Sequence, residues 1–139
     1  DFKVAAYEGT APKVEDPVPY AIATRTKFPE YSPAPQSFLK GVQVDITLKD
    51  GEILADRLQV LHTPGHTPGS VCLLVEDTLF SGDTLFAGSC GRTDIGGDWA
   101  AIQKSMKRLA SMDADFRVFP GHGESTTLAA EKRYNPYMQ

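Results

Sequence analysis

The sequence predicts an α+β fold, with strands gathered ahead of helices instead of alternating βαβ units. Three observations carry that expectation. Val42, Val44, Ile46 and Leu48 alternate with Gln43, Asp45, Thr47 and Lys49, the period-2 pattern of a strand with one buried face. Leu58–His62, Val71–Val75 and residues 78–81 are short apolar runs separated by turn formers. Trp99, Ile102, Met106 and Leu109 then recur at the spacing of one helix face.

The elements follow in order. Residues 4–7 read as a short strand that starts almost at once, with no initiator Met ahead of it, so the chain is expected to begin inside a longer fold. Residues 10–35 carry Pro12, Pro17, Pro19, Pro29, Pro33 and Pro35. Proline fixes its own φ and donates no hydrogen bond, so this stretch is expected to be extended coil with short helical turns at most. Residues 10–40 thus form an irregular loop within a single partial domain, 1–139. After the strand at 42–48, Asp50-Gly51 signals a hairpin turn. Leu58–His62, Val71–Val75 and residues 78–81, the last two joined by Glu76-Asp77, make a meander with both faces covered. Asp98 is placed to cap the helix that begins at Trp99. A short strand at 116–119 precedes a final helix at 125–134, capped by Ser125 or Thr126 and stopped ahead of Pro136.

Composition narrows the function. A net charge of −4 over 139 residues gives no footprint for nucleic acid or an anionic membrane. No apolar run is long enough to span a bilayer, and the N-terminus lacks a signal-peptide pattern. Two cysteines, Cys72 and Cys90, are too few for a disulfide framework, so a reducing cytoplasm is the expected compartment and a small molecule the expected partner.

Three segments carry chemistry, and each follows a strand: 62–70 (HTPGHTPGS), 80–86 (FSGDTLF) and 119–123 (FPGHG). A lone His among glycines is ordinarily a turn residue, and a lone Asp at a strand end a cap. Here all three histidines, His62, His66 and His122, lie in two strand-end loops, and Asp83 lies in a third. Imidazole and carboxylate together suit zinc and similar ions.

The T-P-G-H-T-P-G-S, S-G-D-T-L-F and P-G-H-G runs, in this order, resemble the later metal motifs of the metallo-β-lactamase superfamily. Gly88-Ser89-Cys90-Gly91-Arg92-Thr93-Asp94 resembles a loop of its glyoxalase II-like and persulfide dioxygenase-like members. The ending Glu131-Lys132-Arg133-Tyr134-Asn135-Pro136-Tyr137-Met138 resembles the C-terminus of the short glyoxalase II-like proteins. The resemblance runs from about Val42 onward. It implies the C-terminal half of an αββα sandwich of mostly antiparallel strands with covering helices. It further implies that His66 completes a first metal site, that Asp83 bridges two metals and orients the attacking hydroxide, and that His122 ligates the second. Two zinc ions are the implied cofactor, with iron or manganese as alternatives. Gly91, Arg92, Thr93 and Asp94 become candidates for a substrate loop, and His62 matches a position that closes the strand without ligating.

The family's H-x-H-x-D-H segment, which supplies the remaining ligands, is absent. The chain is therefore expected to expose apolar sheet surface and to pair with a copy of itself or with a missing N-terminal half. Three functional readings follow. The first is a metal-dependent thioester hydrolase, of which this is one half. The second is an iron-dependent persulfide (sulfur) dioxygenase, suggested by the G-S-C-G-R-T-D loop and opposed by the P-G-H-G histidine. The third is a non-catalytic fragment or interaction module whose metal site is incomplete and which binds no metal. Single residues keep two readings each. Arg92 contacts a substrate carboxylate or clamps Asp94 or Asp98. Cys90 is redox-active or an inert thiol, and Cys72 belongs to the core. Trp99 packs or stacks on substrate, and Lys132 and Arg133 bind an anion or favour the helix dipole.

Overall fold

The structure, a computed structural model, describes residues 2–30 and 39–139. Pro33 and Pro35 of the proline-rich stretch lie outside the described residues. The chain divides into two compact units, Asp1–Leu48 and Lys49–Gln139.

In the first unit, β1 (Ala5–Tyr7) is followed by α1 (Ala11–Glu15), α2 (Val18–Lys27) and β2 (Ile46–Leu48). β1 and β2 pair in parallel, with Ala5 opposite Ile46. The ten-residue α2 corrects the expectation of coil with short turns. Pro12 and Pro19 stand in the first turns of α1 and α2, and Pro17 caps α2. In those positions the missing N–H has no helical partner to lose, so proline starts a helix there instead of breaking it. Residues 20–27 are free of proline, and Pro29 follows the last turn. The alternation at 42–48 yields a strand only at Ile46–Leu48. Val42 N–H donates to the Val14 carbonyl and Val44 N–H to Glu15 Oε1, so those backbone groups are committed to α1.

The second unit contains β3 (Ile53–Leu54), β4 (Leu58–His62), β5 (Val71–Val75), β6 (Thr78–Gly82), β7 (Leu85–Phe86), β8 (Ser89–Cys90), α3 (Trp99–Ala110), β9 (Arg117–Pro120), β10 (Thr126–Thr127), α4 (Leu128–Tyr134) and a 3₁₀ turn at Pro136–Met138. Six of the strands form one sheet in the order β10-β9-β6-β5-β4-β3, and β7 and β8 form a separate hairpin. All neighbours in the large sheet are antiparallel except β6 and β9. Asp50-Gly51 does not link a hairpin, because β2 pairs with β1 while β3 pairs with β4. Gly51, at φ 77°, donates to the Val60 carbonyl, and the Asp50 carboxylate accepts from the His62 N–H at 2.7 Å.

One face of the sheet builds the core. Leu61, Cys72, Leu79 and Val118 project from it onto Ile102, Met106 and Leu109 of α3 and Leu128 of α4, with Leu85 and Met138 closing the cluster. Asp98 caps α3 as its sequence predicts, accepting from the Ala101 N–H at 3.0 Å. The cap of α4 is Thr127, one residue beyond the expected pair, because Thr126 and Thr127 first pair with Val118 and Arg117 as β10. The opposite sheet face corrects the expectation of a meander covered on both sides. Phe80 and Phe119 are 47% and 40% exposed there and stack on one another at 5.9 Å. An apolar run marks a residue as able to be buried without naming what buries it; the exposed face agrees with the half-sandwich reading. Among the described residues no helix is long and apolar enough to cross a membrane.

The alternation along β6 makes the two faces separable by mutation. Leu79→Ala empties a fully buried position and is expected to destabilise the fold by about 2–5 kcal/mol. Phe80→Ala is expected to cost less than about 1 kcal/mol, with urea denaturation of both variants as the measurement.

Candidate metal centre

β4 and β6 both run antiparallel to β5, and β9 runs parallel to β6. These three strands therefore point the same way, and the loops that follow them emerge at one sheet edge. Those loops carry His66, Asp83 and His122.

The His66 loop is fixed from within and from behind. Thr63 N–H donates to the Ser70 carbonyl and Gly65 N–H to the Thr67 carbonyl. From α3, Ser105 Oγ donates to the Pro64 carbonyl at 2.7 Å and Asp98 N–H to the Gly65 carbonyl at 2.8 Å. Arg108 bonds both the His62 carbonyl and Asp50. Burial alone would raise the Asp50 carboxyl, but the His62 N–H and the Arg108 guanidinium hold it below its usual value. His62 Nε2 donates to the Pro68 carbonyl at 2.8 Å, so this histidine closes the loop and lies outside the candidate site.

Asp83 and His122 are brought together by the β6–β9 ladder. Its register shifts between Phe80 and Gly82, after which Gly82 lies opposite Pro120 and Gly121 N–H donates to the Gly82 carbonyl at 2.8 Å. A Cβ at Gly121 would press on Asp83 Oδ1, so any other residue there would have to push the Asp83 carboxylate aside. Gly91 meets the same constraint on the other side, against the Asp83 carbonyl.

The result is one carboxylate oxygen faced by two imidazoles. Asp83 Oδ2 lies 3.5 Å from His66 Nε2 and 3.4 Å from His122 Nε2. His66 Nδ1 donates to the Arg92 carbonyl at 2.8 Å, because a carbonyl only accepts. In the neutral ring this leaves a lone pair on Nε2. Acceptor then faces acceptor, and a cation between them relieves the repulsion. The separations exceed a hydrogen bond of about 2.7–3.2 Å. They come near the roughly 3.3 Å between two ligands of a tetrahedral ion bound at about 2.0–2.1 Å. The donor chemistry thus fits a metal on each side of Asp83. Among the described residues, however, no group of three or more His, Cys, Asp or Glu side chains is arranged to hold one ion by itself.

Beside these groups lies a cavity of about 280 Å³, walled in part by Phe86, Cys90, Gly91 and Arg92. The Phe86 ring meets His122 edge-on at 6.0 Å. Of the four loop candidates, Gly91 and Arg92 reach the cavity, whereas Thr93 and Asp94 are outside its walls. The Thr93 carbonyl accepts from Gly97 N–H, and Asp94 takes two bonds from the Arg92 guanidinium at 2.7 and 2.5 Å. Those bonds hold the Asp94 carboxyl below its usual range and give Arg92 the clamp role with Asp94, while Asp98 is committed to the α3 cap. Burial pushes the Cys90 thiol up. Trp99 meets the Tyr137 ring edge-on at 5.9 Å, and Lys132 donates to the Met112 carbonyl.

Sequence reasoning missed the layer beneath. Thr63 and Thr84, both buried, bond each other through their hydroxyls at 3.1 Å and tie the first two loops together. The available signal was a threonine repeated beside each motif, in H-T-P-G and in G-D-T-L. Cys72 Sγ lies 3.3 Å from the Thr63 hydroxyl, and burial pushes its thiol up to about 11.

The profile of the Metallo-beta-lactamase superfamily matches residues 1–122, and the chain belongs to that superfamily. The fold is its α+β arrangement, and the superfamily is one of metal-dependent hydrolases. Hydroxyacylglutathione hydrolase GloC of Haemophilus influenzae is 38% identical over 97 residues, covering 65% of this chain and 46% of that protein. A protein of Aquifex aeolicus is 41% identical over 100 residues, 67% of this chain and 47% of its own. The crystal structure of TTHA1623 in a di-iron-bound form matches with a TM-score of 0.77 at 38% identity, over 99% of this chain and 65% of that one. ETHE1 from Myxococcus xanthus matches with a TM-score of 0.61 at 34% identity, over 67% of this chain and 45% of that one. The chain spans about half the length of the curated relatives it matches.

Two outcomes follow. With the ligand set completed, Gly121→Ala is expected to weaken zinc binding about tenfold or more by displacing the Asp83 carboxylate, as read by isothermal titration. Cys72 is protonated in the folded state up to about pH 11 but ionises from about 9 when unfolded. Its contribution to stability is therefore complete below pH 9 and lost as pH rises from 9 through 11. Cys72→Ala should flatten that part of the stability profile in urea melts recorded across the range.

Proposed function

We propose that this chain carries one part of the metal site of a thioester hydrolase. The observation that carries the reading is the Asp83 Oδ2 atom set between the Nε2 atoms of His66 and His122. A carboxylate oxygen so placed suits a bridge between two ions, with one imidazole on each. Zinc is the proposed metal, and the di-iron-bound neighbour keeps iron open beside it, with manganese a further alternative. Among the described residues no third His, Cys, Asp or Glu joins to hold one ion, and His62 is engaged by Pro68, so the proposed ligand set draws on residues outside these 139. A second copy or a separate N-terminal segment is the proposed source.

Bound ions would supply an acidified water and a Lewis acid for the substrate carbonyl. The chain's own residues do the positioning. The Arg92 carbonyl holds the His66 proton on Nδ1 and leaves Nε2 facing the site. Phe86 covers one edge of His122, which is otherwise 77% exposed. Gly91 keeps the cavity wall free of a side chain where it lies against Asp83. A volume of about 280 Å³ lies at the low end for small-molecule sites, so it suits the acyl part of a substrate. The Haemophilus relative, named for hydroxyacylglutathione, a thioester, supports the substrate class. The two unpaired cysteines and the net charge of −4 support a cytoplasmic setting without nucleic-acid or membrane partners.

Persulfide oxidation is the second reading, favoured by the G-S-C-G-R-T-D segment and opposed by His122 standing at Asp83. One set of assays separates them. Zinc-loaded protein, with its ligand set completed, is expected to hydrolyse members of an acyl-glutathione and acyl-CoA panel, and His66→Ala to lower the rate by about 100-fold or more. Oxygen uptake with glutathione persulfide on iron-loaded protein, without thioester turnover, would replace this reading by the second. No reaction in either assay, with no metal taken up, would leave the non-catalytic module.

A further inference from the structure

The cavity wall at residues 86–92 is gripped from behind by two buried polar side chains near the C-terminus. Glu131, 5% exposed, accepts at Oε2 from Gly88 N–H and from Asn135 Nδ2, both at 2.8 Å. Its Oε1 accepts from the Thr126 hydroxyl at 2.7 Å. Asn135, fully buried, also donates to the Ser89 carbonyl at 2.9 Å and the Phe86 carbonyl at 3.3 Å, and accepts from Tyr137 N–H at 3.0 Å. A buried carboxylate is costly unless several donors meet it, and an apolar residue would fill the same space more cheaply. The network therefore does more than fill the core.

What it grips is the β7–β8 hairpin. Two residue pairs, Leu85 with Cys90 and Phe86 with Ser89, and one further bond from Gly91 N–H to the Thr84 carbonyl hold that hairpin, and so short a ribbon is not stable alone. Glu131 and Asn135 bond its backbone at Phe86, Gly88 and Ser89, which spans the turn. The same hairpin leads to both imidazoles. Phe86 sets its ring against His122, and the chain leaving Cys90 delivers the Arg92 carbonyl to His66 Nδ1 two residues later.

We infer that Glu131 and Asn135 are positioning residues for the metal centre: through the β7–β8 hairpin they fix where the Arg92 carbonyl and the Phe86 ring meet His66 and His122. This rests on the proposed ligand roles of those histidines, but its first test needs no metal. In mildly alkaline solution, long-range nitrogen–proton NMR reads which ring nitrogen of His66 carries the proton. Wild type is expected to show the Nδ1–H form. Glu131→Gln keeps an acceptor for Gly88 and Asn135, and Thr126 can turn to accept, so it should keep that form. Glu131→Met and Asn135→Leu remove the grip and should move His66 towards the Nε2–H form. They should also weaken zinc binding by about tenfold or more. Leu128→Ala lowers the melting temperature through the α4 core and should move neither reading.

A wild-type His66 in the Nε2–H form overturns the proposal without any variant. Folded Glu131→Met or Asn135→Leu with wild-type tautomer and zinc affinity overturns it as well, as does a Leu128→Ala that shifts the tautomer equally. Zinc failing to bind wild type whose ligand set has been completed removes the metal reading alone, because the tautomer result stands by itself.

Discussion

The parallel pairing of β6 with β9 is the constraint on which the rest of the second unit depends. Two parallel neighbours cannot be joined by a tight turn, so the chain must leave the sheet and return, and α3 is part of that crossover. The crossover helix supplies Ile102, Met106 and Leu109 to the core and also reaches back to the His66 loop through Ser105, Arg108 and the Asp98 N–H. One topological choice thus aligns the ends of β6 and β9, buries the sheet face and braces the His66 loop. The register shift after Phe80 then sets Gly121 against Gly82, where a larger residue would press on the Asp83 carboxylate.

Electrostatically, the centre is an arrangement of acceptors. Asp83 is 30% exposed and His66 29%, so neither is fully desolvated, and the repulsion between a lone pair and a carboxylate is tempered by water but not removed. Both imidazoles face the same oxygen, and among the described residues no three such side chains are arranged to hold one ion by themselves. Hydroxyl pairs, glycine backbones and carbonyls give much of the rigidity, with the Arg108 guanidinium and the Glu131 carboxyl beside them. Charged surface pairs such as Arg92 with Asp94 shape the loop locally and contribute little to stability.

Much of this was legible in the sequence where short-range chemistry decides the outcome. β4 and β5 fall where the apolar runs place them, Asp98 caps α3, and His66, Asp83 and His122 meet because proline and glycine leave their loops few alternatives. Elements decided by distant partners were not legible. Val42 and Val44 alternate like a strand yet spend their N–H groups on α1. Val18–Lys27 is helical despite the prolines around it, because those prolines stand where a helix begins. Thr93 and Asp94 share a motif with Gly91 and Arg92 but point to other duties. Glu131 and Asn135 stand in the sequence only as members of the C-terminal motif, and their contacts 43 and 46 residues away, at Gly88 and Ser89, come from the fold.

The β6–β9 pairing also orders events in time. Strands β3 to β6 are linked by short connections, the longest being residues 63–70, and can collapse from local contacts, whereas Thr78 and Arg117 stand 39 residues apart. Closing that loop costs chain entropy that local pairs never meet, so it comes late. A partly folded chain can therefore hold the meander while His122 is still remote from Asp83. The centre exists only once the longest-range contact of the sheet is made, and its assembly reports that this unit has finished folding.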